Sequence, residues 1–214
     1  IFTAPPNHSL EWSDEGVEGA HRFLKRLWTL ATTYATNSNV TVDFNGLSDN
    51  LRNIRREIHT ALSKALFDYE RQQFNTVVSA CMTMVNSLTT AVNMGIEDTE
   101  VQSVVNEGLR IVLQLLTPIA PHVTHHLWQH LGYGADILQS GWPKVDDVAL
   151  VQQQIAYVVQ VNGKIRDHIQ VAADAAQTII EQTALGSTKV QKFTDGKKVR
   201  KIIIVPGKLV NIVV

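Results

Sequence analysis

A chain of 214 residues that is 44% hydrophobic and 18% charged can bury a substantial core and fits one large domain or two small ones. Its single cysteine, Cys81, excludes an internal disulfide, no apolar run approaches the ~20 residues of a membrane span, and no basic and then apolar leader opens the chain, which together point to a cytoplasmic protein. The net charge of −1 hides a division: residues 1–149 hold 10 Lys and Arg against 16 Asp and Glu, or −6, whereas residues 150–214 hold 9 against 4, or +5. Basic charge fit to meet a polyanion therefore belongs to the end of the chain alone.

The opening IFTAPPNHSLEW, starting at Ile1 rather than Met, is expected to be the interior of a longer polypeptide. Ser13 caps a first helix whose opening turn holds Asp14 and Glu15, and Val17, Ala20, Leu24, Leu27, Ala31 and Tyr34 form its apolar stripe. Arg22, Lys25 and Arg26 lie on its other faces, where a solvated role is the plainer reading and contact with a partner the sharper one. After NSNVTVDFNGLSDN, a linker by composition, Ser48 and Asp49 begin a second helix with Leu51, Ile54, Ile58, Leu62, Ala65 and Tyr69 inside and Arg52, Arg55 and Arg56 on its outer face. A third helix runs from Phe74 to Val92 with Val77, Cys81, Val85 and Leu88 inward, and Gly95 sits in the turn after it. The fourth starts at Thr99 and carries Val101, Val104, Val105, Val112, Leu113 and Leu116. Pro118 and Pro121 stop it, because each removes a backbone donor and disfavours helix in the residue before it. A short fifth helix from His122 to Leu131 closes at Gly132. Helices of this length on short loops bury their stripes against one another, which predicts an up-and-down antiparallel bundle over residues 1–145.

Beyond GADILQSGWPKVDD, with residues 146–151 as a linker, the period changes from helical to alternating. Ala156, Val158 and Gln160 alternate with Tyr157, Val159 and Val161, and Asn162-Gly163 is a strong hairpin signal because both turn positions need positive φ. Ile165 to Val171 returns as the second strand. Asp174 caps a helix with Ile179, Ile180 and Ala184 inward; Val199 to Val205, the Pro206-Gly207 turn and Leu209 to Val214 make a second hairpin. The expected fold is thus mainly α with a small α+β domain, a helix bundle over 1–145 followed by a compact ββαββ module over 152–214.

His122, His125, His126 and His130 stand four or fewer residues apart in HVTHHLWQH, spacing that can present imidazoles to a metal. The zinc protease signature needs a glutamate after the first histidine, however, and Val123 stands there with no third ligand nearby, so helix-cap and surface positions are the better reading and no metal is expected. Neither a Gly-rich phosphate loop nor a Gly-x-Ser-x-Gly elbow occurs, and the acidic pairs Glu97-Asp98 and Asp146-Asp147 read as solvated loop or cap residues. No active site assembles, and no catalytic residue is assigned. The tail instead offers Lys164 and Arg166 after its first turn, Lys189 and Lys192 at its helix, Lys197, Lys198, Arg200 and Lys201 before its third strand and Lys208 at its last turn. Edge-strand lysines that prevent sheet aggregation account for part of this set, and a protein-interaction scaffold with a merely solvated basic tail is the alternative. With only Tyr157 and Phe193 as aromatics, the tail fits backbone and shape recognition of a folded RNA better than base stacking.

Four blocks, in order, carry a resemblance. LEWSDEGVEGAHRFLKRLW, then RREIHTALSKALFDYERQQFNTVVSACMTMVNSL, then LLTPIAPHVTHHLWQHLG, then VQVNGKIRDHIQV with VRKIIIVPGKLVNIVV resemble the C-terminal part of bacterial leucyl-tRNA synthetases. The third block is shared more widely among class I synthetases for branched aliphatic amino acids; the NGKIR hairpin and the VPGKLVNIVV ending select the leucine family. The resemblance implies a helical, anticodon-binding-like domain followed by a tethered C-terminal domain that contacts the outer corner of tRNA(Leu). It further implies a monomer, the remaining synthetase chain as a covalent partner, no membrane, and ATP and Mg for a parent enzyme whose His-Ile-Gly-His and Lys-Met-Ser-Lys-Ser signatures and editing domain this chain lacks. No cofactor and no aminoacylation are expected of the chain itself. It departs from the family at His125 and His126, where a Glu pair is common, so no role of that pair carries over. Lys164, Arg166, Lys197, Lys198, Arg200 and Lys201 are the expected tRNA contacts of the tail, with Arg22, Lys25, Arg26, Arg52, Arg55 and Arg56 in support on the bundle.

Overall fold

A computed structural model describes all residues except 1–3, 5–8, 10–11, 35–43, 45, 96–97, 152–153 and 174. The roles expected of the Tyr34 side chain, of Glu97 and of Asp174 fall outside what is described. The chain divides into two compact units, Ile1–Val151 and Gln152–Val214.

The first unit holds α1 (Asp14–Tyr34), α2 (Asp49–Glu70), α3 (Phe74–Val92), α4 (Thr99–Leu116), α5 (Pro121–His130), a single 3₁₀ turn (Ile137–Gln139) and α6 (Asp147–Leu150). Local chemistry sets the helix starts: the Ser48 side chain accepts the Leu51 N–H, Asp98 accepts the Glu100 N–H, and Pro121 occupies the first turn of α5, where no backbone donor is needed. Leu27, Ile58, Leu62, Cys81, Met84, Leu88, Leu109, Leu113 and Trp128 meet in one core that excludes water. Burial pushes the Cys81 thiol pKa far up. In α1 the buried residues begin at Phe23 and continue through Leu27, Leu30 and Ala31, while Val17, expected inside, is 49% exposed. Its stripe is real only where α3 and α5 cover it.

Gly108 marks the closest approach in this core. A methyl group there would stand 2.5 Å from Leu88 Cδ2 and 3.2 Å from Ile58 Cδ1, and both side chains are wholly buried. Forcing them aside costs about 1–3 kcal/mol, more than the ~1 kcal/mol that alanine gains over glycine in a helix. Gly108→Ala is therefore expected to lower the thermal midpoint in calorimetry, and an unchanged or raised midpoint would show that the core yields at no cost.

Residues 146–151, read as a linker, belong to the first unit. The Asp146 carboxylate accepts the Val148 N–H to start α6, and its backbone N–H donates to His59 Nδ1 (3.1 Å) on α2. The stretch is short and polar like a linker; partners far away in sequence hold it down.

The second unit contains β1 (Gln154–Val161), β2 (Lys164–Ala172), α7 (Gln177–Gly186), α8 (Thr188–Thr194), β3 (Lys201–Val205) and β4 (Leu209–Val213). Two helices, not one, separate the hairpins: Ser187 ends α7 in extended backbone and its hydroxyl caps α8, which corrects ββαββ to ββααββ. The hairpins join through parallel pairing of β1 with β4, giving one mixed sheet in the order β2-β1-β4-β3. Asn162 (φ 50°) and Gly163 (φ 76°) make the first turn as their residue types require, and Gly207 (φ 69°) makes the second. Tyr157, Val159, Val161, Ile169, Val210 and Ile212 face Ile180, Ala184 and Val190 in a second core. Ile179, expected inside, is 50% exposed, because α7 lies on β2 with Ile180 and Ala184 downward and the next residue in a helix turns away by about 100°.

Candidate nucleic-acid interface

Strand register brings residues from both hairpins of the second unit to one end of its sheet. Lys164 opens β2 opposite Val161, Val161 pairs with Ile212, and Lys201 pairs with the neighbouring Val213. The backbone N–H of Arg200 donates to Val213 O (2.8 Å), so pairing starts one residue before β3 itself. Lys164 and the Arg200-Lys201 pair thus sit on opposite edges of the same end, three strand spacings or about 14 Å apart. Lys197 and Lys198 lie in the connection that delivers the chain there from α8, and all of these side chains are exposed. Lys208 lies at the other end of the β3–β4 pair, beside the turn.

Arg166 behaves differently. Val159 pairs with Asp167 and Gln160 with Ile165, so Arg166 is the extra residue of a β-bulge, which re-aims a side chain. Its guanidinium lies 3.7 Å above the Phe193 ring, and its buried Nε has no hydrogen-bond partner among the described residues. The Lys197 ammonium donates to Phe193 O (3.2 Å), closing the end of α8. Arg166 and Lys197 thereby meet at Phe193 across a sequence gap that no local pattern reveals.

Lys189 is tied to a carboxylate rather than turned to a ligand. Asp167 accepts from Ser187 Oγ (2.6 Å) and Lys189 Nζ (2.9 Å), which draw its pKa down to about 2. A folded pKa below the unfolded one means that the contribution to stability is complete above the ordinary carboxylate value of about 4 and is lost as pH falls through the folded value. Between those limits the wild type is expected to lose protection of the Ile169 and Val190 amides against hydrogen exchange more steeply than Asp167→Asn; parallel profiles would refute the assignment.

On the first unit, Arg22 and Lys25 are exposed on α1, and Arg26 donates to Asn86 Oδ1 on α3. Arg52 pairs with Asp49 at 3.4 Å on the surface, and Arg56 is half-buried. Arg55 does not lie on the outer face. Its side chain is 6% exposed, with Nε and Nη2 donating to the two Glu107 oxygens (2.7 and 2.8 Å), Nη2 also donating to Asp146 Oδ2 (2.7 Å), and the Phe44 ring 3.6 Å away. The reason is geometric: Arg55 falls between Ile54 and Ile58 on the buried arc of α2, and acids from distant segments make its burial possible. Burial raises the Glu107 pKa, but hydrogen bonds from His59 and Arg55 outweigh it and leave the group below its ordinary value. The Arg55 hydrogen bond likewise lowers that of Asp146. Asp146 is therefore no solvated loop acid.

The histidines of α5 do not converge. The His126 ring stacks on Trp28 with centroids 5.2 Å apart, His130 stacks beyond it at 6.3 Å, and His125 Nδ1 stands 3.8 Å from Asp136 Oδ1. Among the described residues no three His, Cys, Asp or Glu side chains are placed to hold a metal ion, and no helix is long and apolar enough to cross a membrane.

An antiparallel helical bundle followed by a basic two-layer module is a binding architecture, and its class is that of the helical appendages of tRNA ligases. The chain belongs to the family described as the anticodon-binding domain of tRNA ligase, whose pattern matches residues 52–181. Over its whole length it is 46% identical to the leucine–tRNA ligase of Azoarcus sp., 49% to that of Herminiimonas arsenicoxydans and 44% to that of Coxiella burnetii. It spans about a quarter of each, 25%, 24% and 26% respectively. The same fold occurs in a LeuRS of Agrobacterium radiobacter crystallised as a ternary complex with tRNA and LeuAMS, with a TM-score of 0.74 at 24% identity over 99% of this chain and 27% of that one.

Proposed function

We propose that the chain is the tRNA-binding C-terminal portion of a leucine–tRNA ligase, and that it positions tRNA(Leu) for leucylation carried out elsewhere in the ligase. The observation that carries this reading is the gathering of Lys164, Arg200 and Lys201 at one end of the second unit's sheet, with Lys197 and Lys198 leading to it, in a unit of charge +5 that follows a bundle of charge −6. Exposed cations at fixed positions on a rigid sheet meet a folded polyanion at several phosphates at once, and at a set orientation. Arg166, stacked on Phe193, offers a flat cation suited to a phosphate or the edge of a base.

The leucine identity rests on relatives matched over all of this chain, one of the solved structures of the same fold being a complex with tRNA. ATP and Mg serve the chemistry in ligase segments outside these 214 residues, so the chain alone is expected not to charge tRNA. A gel shift of the 214-residue chain with leucine tRNA and with a tRNA of another identity, at two salt concentrations, tests the reading. Binding that weakens steeply with salt is expected, and no shift at either salt would overturn it.

A further inference from the structure

The first unit has a cleft of about 410 Å³ where α2 and α3 run side by side, lined by Arg56, Thr60 and Lys64 on one wall and by Ser79 and Thr83 on the other. Arg56 and Lys64 flank Thr60 one turn to each side, so both long side chains can reach a group seated over it. Helix α3 has no charged residue at all, and the one acid lining the cleft, Glu57, is taken up by the Ser87 hydroxyl (2.8 Å). The Arg56 Nε is buried and has no hydrogen-bond partner among the described residues. A buried donor without an acceptor, a second cation and a wall free of charge together make the protein half of an anion site.

The hydroxyls say which anion. Thr60, Ser79 and Thr83 each donate their proton to the helix carbonyl one turn back, those of Arg56, Asn75 and Ser79. Their oxygens keep lone pairs and can only accept. Acceptors beside a phosphate-binding pair of cations suit a ribose 2′-OH, which donates, better than a second anionic oxygen. We infer that this cleft holds a backbone phosphate and the adjoining 2′-OH of an RNA strand, with Arg56 and Lys64 on the phosphate and Ser79 and Thr83 on the ribose. The inference rests on the tRNA-binding reading above and adds to it a contact on the first unit, including Lys64, Ser79 and Thr83, which the sequence pattern had not singled out.

The test uses the 214-residue chain and leucine tRNA, with affinity measured by anisotropy across a salt series for the wild type, Arg56→Gln, Lys64→Gln and Thr83→Asp. Each glutamine variant is expected to reduce the slope of log affinity against log salt by about 0.7–0.9. Thr83 is exposed, so Thr83→Asp is expected to leave the helical circular dichroism and thermal midpoint unchanged while weakening binding at least tenfold by placing a carboxylate in the cleft. If the wild type binds with a steep slope and all three variants match it, the cleft is no RNA site although the tRNA reading stands; if the wild type does not bind, both fall. A phosphorus NMR titration with inorganic phosphate separates the other source: saturable binding abolished by Arg56→Gln, with tRNA affinity unaffected, assigns the cleft to free phosphate and overturns the RNA assignment.

Discussion

Arg55→Ala lowers the stability of the first unit by about 3–5 kcal/mol, the largest effect expected of any single substitution in the chain. Removing the guanidinium leaves Glu107, itself only 19% exposed, without the cation whose two hydrogen bonds offset its burial, and releases Asp146 from α2. A surface ion pair would be worth a fraction of this, because water replaces the lost partner. The measurement is urea unfolding at neutral pH, with a lower midpoint at an unchanged m-value. Two further readouts separate charge from packing. In a double-mutant cycle, Glu107→Gln is expected to restore part of the loss, since it removes the uncompensated carboxylate. Glu107 and Asp146 have folded pKa values below their ordinary ones, so the network's contribution is complete above the carboxylate range and is lost as pH falls through those lowered values. The gap between wild type and Arg55→Ala should therefore narrow in acid; a gap independent of pH would mean that Arg55 matters only through its contact with Phe44.

The fourfold replacement of Lys197, Lys198, Arg200 and Lys201 by glutamine weakens leucine-tRNA binding roughly hundredfold at physiological salt and takes about 2.8–3.6 off the salt slope, 0.7–0.9 for each phosphate no longer neutralised. Two controls share the same chemistry. Lys208→Gln, at the other end of the β3–β4 pair, and Lys189→Gln, already tied to Asp167, should leave the slope nearly as it was. Equal losses from all of these lysines would mean that only net charge matters and that the end of the sheet has no special standing. A fourfold variant that keeps the wild-type slope would remove the second unit from the interface. Circular dichroism guards the comparison, and these side chains lie outside the second core, so the fold should persist.

The bundle could be read because every helix carries its own apolar period, and the caps at Ser48 and Asp98 and the proline at 121 sit within a turn of the boundaries they set. The first hairpin could be read for the same reason, with Asn162-Gly163 supplying the needed backbone conformation locally. Single-residue patterns fail where a neighbour decides. Val17 has the right spacing for a core that does not reach it, and Ile179 is displaced by the register that Ile180 and Ala184 impose. Trp28, His126 and His130 form a ring stack across two helices although His126 and His130 alone suggested a metal pair.

Of the expected interface, charge and address were determined by the sequence alone. It held a +5 tail on a −6 bundle, the residues that carry it, and four blocks that identify the family. Tertiary structure decided which cations can meet a ligand. It withdrew Arg55 into a buried network with Glu107 and Asp146, bound Lys189 to Asp167, stacked Arg166 on Phe193, and brought Lys164 to the same end of one sheet as Lys201 by pairing β1 with β4 in parallel. The physical reason is range. Helix periods, caps and turns are satisfied within a few residues, whereas a buried charge or a parallel strand needs partners 20 to 90 positions away, as the separations of Asp167 from Ser187 and of Arg55 from Asp146 illustrate.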